Sequence, residues 1–207
     1  MISQHKICMT NTTDTIIISF SGRANPKTCK IQFEFQTFLE KYFDKVDRHF
    51  YLDTFSNSYH NGIEGISTSI DETVEYLKGA IAPYKKAIMI GVSQGGYAAI
   101  LFGSLLTVNA VIAFIPQTYR TQNLNIDEKY RDIKPFINTT TQYYLYGDIS
   151  LTNPHNFHHI SHCERILEDR RDNKNIHIIR KNPLDLIKIV WIERELVDLI
   201  QNSIGEF

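Results

Sequence analysis

The sequence predicts one doubly wound α/β domain built on a mostly parallel sheet. Short β-rich runs alternate with longer amphipathic stretches along the whole chain. Two of those runs, 87–90 and 110–115, are apolar throughout, as strands buried on both faces must be. No internal repeat or low-complexity linker divides the 207 residues, a length that suits a single domain over 1–207 with a core on each side of its sheet.

Each element follows from its local pattern. Residues 15–20 (Thr-Ile-Ile-Ile-Ser-Phe) form a strand by β-branched density, and Ser21-Gly22 ends it. Ile31, Phe35, Phe38 and Phe43 recur near helical spacing and predict the first helix. Residues 46–52 predict a strand, closed by a Ser/Asn/Gly-rich loop over 53–65. Ile66, Ile70, Val74 and Leu77 mark one face of a helix that Gly79 and Pro83 should end. After strand 87–90, a helix over 95–105 starts with small residues that let it approach the sheet. Strand 110–115 stops at Pro116, and the polar, aperiodic stretch 116–141 is expected as a small cap-like excursion above the sheet. A strand over 142–146, a helix over 155–170, a strand over 175–180 and an amphipathic helix over 184–200 complete the chain, with Trp191 packed in the last helix. The strands carrying Ile17, Phe50, Ile88, Ile112, Tyr144 and Ile178 are expected in one sheet, joined by right-handed crossovers.

Composition narrows the partners. Lys+Arg number 22 against 23 Asp+Glu, a formal net charge of -1, without the basic excess of a nucleic-acid binder. No apolar run has the length of a membrane span, and the first residues lack the apolar stretch of a secretory signal. The three cysteines are odd in number and widely spaced, which argues against a disulfide framework or a zinc ribbon and favours a reducing, cytoplasmic home. No cofactor is expected.

Chemistry concentrates at Gly91-Val92-Ser93-Gln94-Gly95, between the most apolar strand and a helix. A strand turning sharply into a helix holds its turn residue strained, with the side chain above the sheet. The flanking positions must be small because two backbones meet there. The helix start leaves free N–H groups beside the hydroxyl, and the N–H of Gln94 is placed to stabilise an oxyanion.

The run from Gly91 to Gly103, with Ser-Gln-Gly-Gly-Tyr-Ala-Ala-Ile-Leu-Phe-Gly from Ser93 onward, resembles a family of small α/β-hydrolase-like proteins often found among glycan-biosynthesis functions. Phe20-Ser21-Gly22, Tyr59-His60-Asn61-Gly62, Pro116-Gln117-Thr118 and Gly147-Asp148 add to the resemblance. It implies the minimal α/β-hydrolase fold, with Ser93 as nucleophile and Asp148, after the fifth core strand, as the acid. It also implies a second oxyanion donor from the loop beginning at Ser21-Gly22, the N–H of Arg23.

The family's base should follow the last strand, and there the chain reads Lys181-Asn182-Pro183-Leu184-Asp185, without histidine. Serine at its free pKa is a poor nucleophile without a base, so another loop must supply one. His177 lies within the last strand and is poorly placed. His60 sits on a polar loop at the correct sheet edge, roughly 10 Å or two strands from Ser93, with Asp53 on the same loop as a possible orienting carboxylate. His155, His158, His159 and His162 begin just after Asp148; at spacings of three, four and seven they would share one helical face, as a solvated surface, a zinc site or a source of the base. His60 is preferred, with His158 and His159 as alternatives and no metal site. Tyr119, Arg120, Arg131 and Lys134 in the excursion would suit an anionic or sugar substrate.

These residues predict a serine esterase, acyl hydrolase or acyltransferase acting on a small or glycan-linked ester, with an atypical or missing catalytic histidine. The alternative is a non-catalytic pseudo-hydrolase that keeps the fold and serves as a binding or assembly module.

Overall fold

The structure, a computed structural model of the chain, describes residues 5–9, 13–22, 33–120, 126–168, 173–182 and 189–205, with 189–192 by backbone alone. Its elements run β1 (His5–Cys8), β2 (Thr15–Phe20), α1 (Gln36–Tyr42), β3 (Asp47–Tyr51), α2 (Ile70–Ile81), β4 (Lys86–Val92), α3 (Gln94–Leu106), β5 (Ala110–Phe114), β6 (Gln142–Asp148), α4 (Ser161–Glu164), β7 (Ile176–Lys181) and α5 (Ile189–Ile204). All seven strands form one sheet in the order β1-β3-β2-β4-β5-β6-β7. Every pairing is parallel except β1 with β3. The six expected strands are all present; the antiparallel edge strand β1 is an addition that its mixed, half-exposed sequence did not announce.

Period-two alternation divides the core between the faces. Ile16, Ile18 and Phe20 of β2 and Met89 of β4 pack with α2 and α3, among Leu77, Ala98, Leu101 and Phe102. Ile17, Ile88 and Ile90 face the other way, toward Leu39 of α1 and Leu196, Ile200 and Ile204 of α5. With both faces covered, β2, β4 and β5 have no solvated side, which is why their sequences are apolar runs rather than alternations.

Two helices differ from expectation, each for a local reason. α2 runs through Gly79 to Ile81; its start is fixed by Ser69, whose side chain accepts from Glu72 N–H, while the Glu72 carboxylate accepts from Thr68 N–H at 2.7 Å. The helix expected over 155–170 is reduced to α4. Asn153 and Asn156 accept the N–H groups of His155 and His158 at 2.9 and 3.0 Å, and these side-chain turns replace the helical ladder upstream of it. The excursion 116–141 carries two 3-10 turns, Glu128–Tyr130 and Lys134–Phe136, and a bridge between Tyr119 and Asp132. Residues 121–125, the start of the last predicted helix (184–188) and the side chain of Trp191 lie outside the described residues.

Candidate active site

β4 is the central strand, and Ser93 stands at its C-terminal end as the cap of α3, with φ 55° and ψ −113°. A non-glycine residue there costs about 1–3 kcal/mol and persists only when its surroundings over-determine it. They do so here: Ser93 N–H donates to Phe114 O at 2.9 Å, and Ser93 O accepts from Tyr97 N–H at 3.0 Å. The elbow glycines are sterically forced. A β-carbon on Gly91 would lie 2.1 Å from Gly95 O, and one on Gly95 would lie 2.0 Å from Phe20 O. Gly22 also touches the elbow, its hypothetical β-carbon 3.0 Å from Val92 O and 3.6 Å from Ser93 Cβ. The start of the β2 loop thus lies beside the serine. Arg23, the next residue, lies outside the described residues.

The hydroxyl meets an imidazole. Ser93 Oγ lies 2.8 Å from His158 Nε2, a hydrogen bond between half-buried groups. Burial lowers the His158 pKa from 6.5, and the negative charge of Asp148 partly opposes that shift. The ring is therefore neutral at pH 7 and able to accept a proton. Gln117 Nε2 also reaches the hydroxyl, 3.5 Å from Ser93 Oγ. The N–H of Gln94, at the first position of α3, has no acceptor among the described residues. It is one of the unsatisfied donors every helix start leaves.

His60 stands elsewhere, contrary to the sequence preference. It is 5% exposed rather than on a solvated loop. Tyr97 Oη donates to Tyr130 O, so it must accept from His60 Nε2–H at 3.0 Å. His60 Nδ1 accepts from Asp127 N–H at 3.1 Å. Both ring nitrogens are thus engaged away from Ser93, and burial lowers the pKa to about 4. Asp53 does not meet His60 either. It organises its own loop, accepting from Ser58 and Tyr59 N–H at 2.6 and 3.2 Å.

The other candidates separate in the same way. His159 Nδ1 accepts from Ser161 N–H at 3.0 Å, and His162 Nδ1 accepts from Thr118 N–H at 3.2 Å with its pKa lowered to about 4, chiefly by burial. His177 stacks on Tyr144 at the exposed side of β7. Without a continuous helix, His155, His158, His159 and His162 share no common face. Among the described residues no group of three or more metal-binding side chains assembles. Asp148 sits at the end of β6, 4% exposed, and spends its Oδ1 on Ser150 N–H and Oγ at 2.7 and 2.9 Å. It influences His158 through space, without a hydrogen bond to the ring.

Gln117 is the site residue that sequence reasoning did not assign. Its signal was position: it follows β5 directly, at the same sheet edge as the serine. Arg131 and Lys134 are tied to Glu128 and Glu168, and Arg165 forms a forked pair with Asp132 at 2.9 and 2.7 Å.

A strained serine at the C-terminal edge of the central parallel strand, with helices on both faces, is the arrangement of the α/β-hydrolase fold, and this chain has that fold. No protein-family model and no curated protein matches the sequence. Solved structures do match in shape. The glycosylation-associated protein (Gap123) complex of Streptococcus agalactiae superposes at TM-score 0.66 and 13% identity, covering 98% of this chain and 45% of that one. The present chain therefore spans less than half of that protein's length. The capsule O-acetyltransferase of Neisseria meningitidis serogroup A superposes at TM-score 0.63 and 12% identity over 96% of this chain and 92% of that one. The Pyrococcus furiosus esterase PF2001 gives TM-score 0.61 and 14% identity over 94% and 84%. Likeness at these identities speaks for the fold; the chemistry must be argued from the site.

Proposed function

We propose that the protein is a serine esterase or acyltransferase acting on a small or glycan-linked ester, with Ser93 as nucleophile and His158 as base. The observation that carries this reading is the 2.8 Å contact between Ser93 Oγ and a neutral, half-buried His158 Nε2. In the first step His158 Nε2 takes the hydroxyl proton while Oγ bonds to the ester carbonyl carbon. The carbonyl oxygen becomes an oxyanion held by the N–H of Gln94 at the start of α3. Collapse expels the alcohol, which receives the proton back from His158. Water or a second alcohol then releases the acyl group by the reverse sequence. Asp148 supports the imidazolium by its charge rather than by contact.

Choice of substrate class leans on the neighbours in shape, which include an esterase and a capsule O-acetyltransferase. A pseudo-hydrolase has no need of a base against its serine, so the Ser93–His158 contact disfavours that alternative. The test is labelling by a fluorophosphonate probe together with cleavage of short-chain aryl esters. Wild type should label and cleave slowly, and Ser93→Ala should do neither. Equal background rates for the two proteins on several esters would remove the enzymatic reading.

A further inference from the structure

Among the described residues Ser93 Oγ has two hydrogen-bonding neighbours, and the second fixes what the first can do. Gln117 is 7% exposed and joined to the elbow by its backbone, N–H to Ser93 O at 3.5 Å, as well as by its side chain. Its carboxamide oxygen accepts from Nη1 of Arg120, itself 4% exposed. A guanidinium has donors only, so the amide must turn its oxygen to Arg120 and its NH₂ to Ser93. An NH₂ group donates and does not accept. Among the described residues the single hydroxyl proton of Ser93 therefore has one acceptor, the lone pair on His158 Nε2 at 2.8 Å.

We propose that Gln117, oriented by the positioning residue Arg120, commits the Ser93 proton to His158 and remains hydrogen-bonded to Oγ as negative charge builds there. The inference rests on Ser93 being the nucleophile. It explains how the serine–histidine pair is oriented although, among the described residues, no carboxylate is bonded to the ring: Asp148 accepts from Ser150, and the constraint comes from the serine side instead. In the step concerned, the O–H bond of Ser93 breaks and an N–H bond forms at Nε2. The Gln117 N–H is retained throughout, and no further reactant is required.

The experiment reads the hydrogen bond separately from turnover. In ¹⁵N-histidine-labelled protein at neutral pH, long-range ¹H–¹⁵N correlation should find His158 Nε2 unprotonated in wild type. Gln117→Glu keeps a partner for Arg120 but offers Ser93 an acceptor in place of a donor. The hydroxyl proton then turns to the carboxylate and Nε2 becomes protonated. Fluorophosphonate labelling should fall by about 10², the low end of what a positioned base contributes. Should that variant fold poorly, Arg120→Lys keeps the charge without the planar fork and should change both readouts in the same direction, less steeply. Identical Nε2 protonation in wild type and Gln117→Glu, or labelling at the wild-type rate, would overturn the proposal. If the Nε2 signal moves as expected while wild type never labels, the hydrogen-bond assignment stands and the enzymatic reading falls.

Discussion

At the scale of single side chains, two histidines do opposite work. His60 is locked by two hydrogen bonds into the framework over α3, whereas His158 leaves Nε2 against the elbow serine. Replacing His158 with alanine should therefore slow labelling of Ser93 by about 10²–10⁴. His60→Ala should leave labelling within a few-fold while lowering the thermal midpoint, because it removes the donor to the Tyr97 hydroxyl and the acceptor of Asp127 N–H. The opposite ranking in a paired labelling and melting experiment would return the base to His60. The His158 pKa also sets a pH profile. Burial lowers it from 6.5, so labelling should rise through an inflection below 6.5 and plateau at neutral pH. The negative charge of Asp148 raises it, and Asp148→Asn should move the inflection further toward acid. A shift toward alkali would contradict the through-space role given to Asp148. The serine was legible in the sequence because an elbow is local: five consecutive residues force it. The imidazole that reaches Ser93 was not, because it depends on how 153–160 folds, and two asparagine side chains decide that against helical periodicity.

At the scale of elements, the glycines of the strand–helix junction and of α2 illustrate opposite uses of a missing side chain. Gly95→Ala sets a methyl 2.0 Å from Phe20 O, with the Phe20 and Ser21 backbone carbons behind it. No rotamer relieves a clash with backbone, so β2 and α3 must separate. The expected cost is about 3 kcal/mol or more, at or beyond the usual range for overpacking. Gly79 lies inside α2 with nothing within 4 Å of its would-be β-carbon. Gly79→Ala should stabilise by about 0.5–1 kcal/mol, because it lowers the entropy of the unfolded chain without a steric penalty. Urea unfolding of both variants checks the pair, and a destabilised Gly79→Ala would mean α2 packs more tightly than its open side indicates. The same contrast explains how the fold was read. Buried runs in β2, β4 and β5 announced a two-faced sheet, and alternation with helices gave parallel pairing. Helix ends were read less well, because Gly79 looked like a terminator while packing of Leu77 and the Ser69 cap carry α2 past it. β1 was missed since an edge strand with one paired side needs little sequence of its own.

At the scale of the whole molecule, buried imidazoles should make the fold acid-sensitive. His49, His60 and His162 come from β3, the β3–α2 loop and α4, and burial is the first cause lowering each to about 4. In the unfolded chain they titrate near 6.5. Between those values the unfolded state binds protons that the folded state refuses, so stability falls as the pH drops from 6.5 toward 4. Each group contributes at most about 1.4 kcal/mol per pH unit across that window. Asp53 and Glu34 act in the opposite sense, since burial raises both and the folded state holds their protons more tightly at low pH. His158, which burial also lowers, adds to the imidazole side, and four imidazoles against two carboxyls leave acidification destabilising. Thermal midpoints should accordingly decline from pH 7 to pH 5 with no matching loss between pH 7 and pH 8. His60→Gln removes one titrating ring, and its slope of stability against pH should be shallower than wild type by one proton's worth. An unchanged slope would mean that His60 is protonated in the folded state, which the N–H of Asp127 pointing at its Nδ1 forbids.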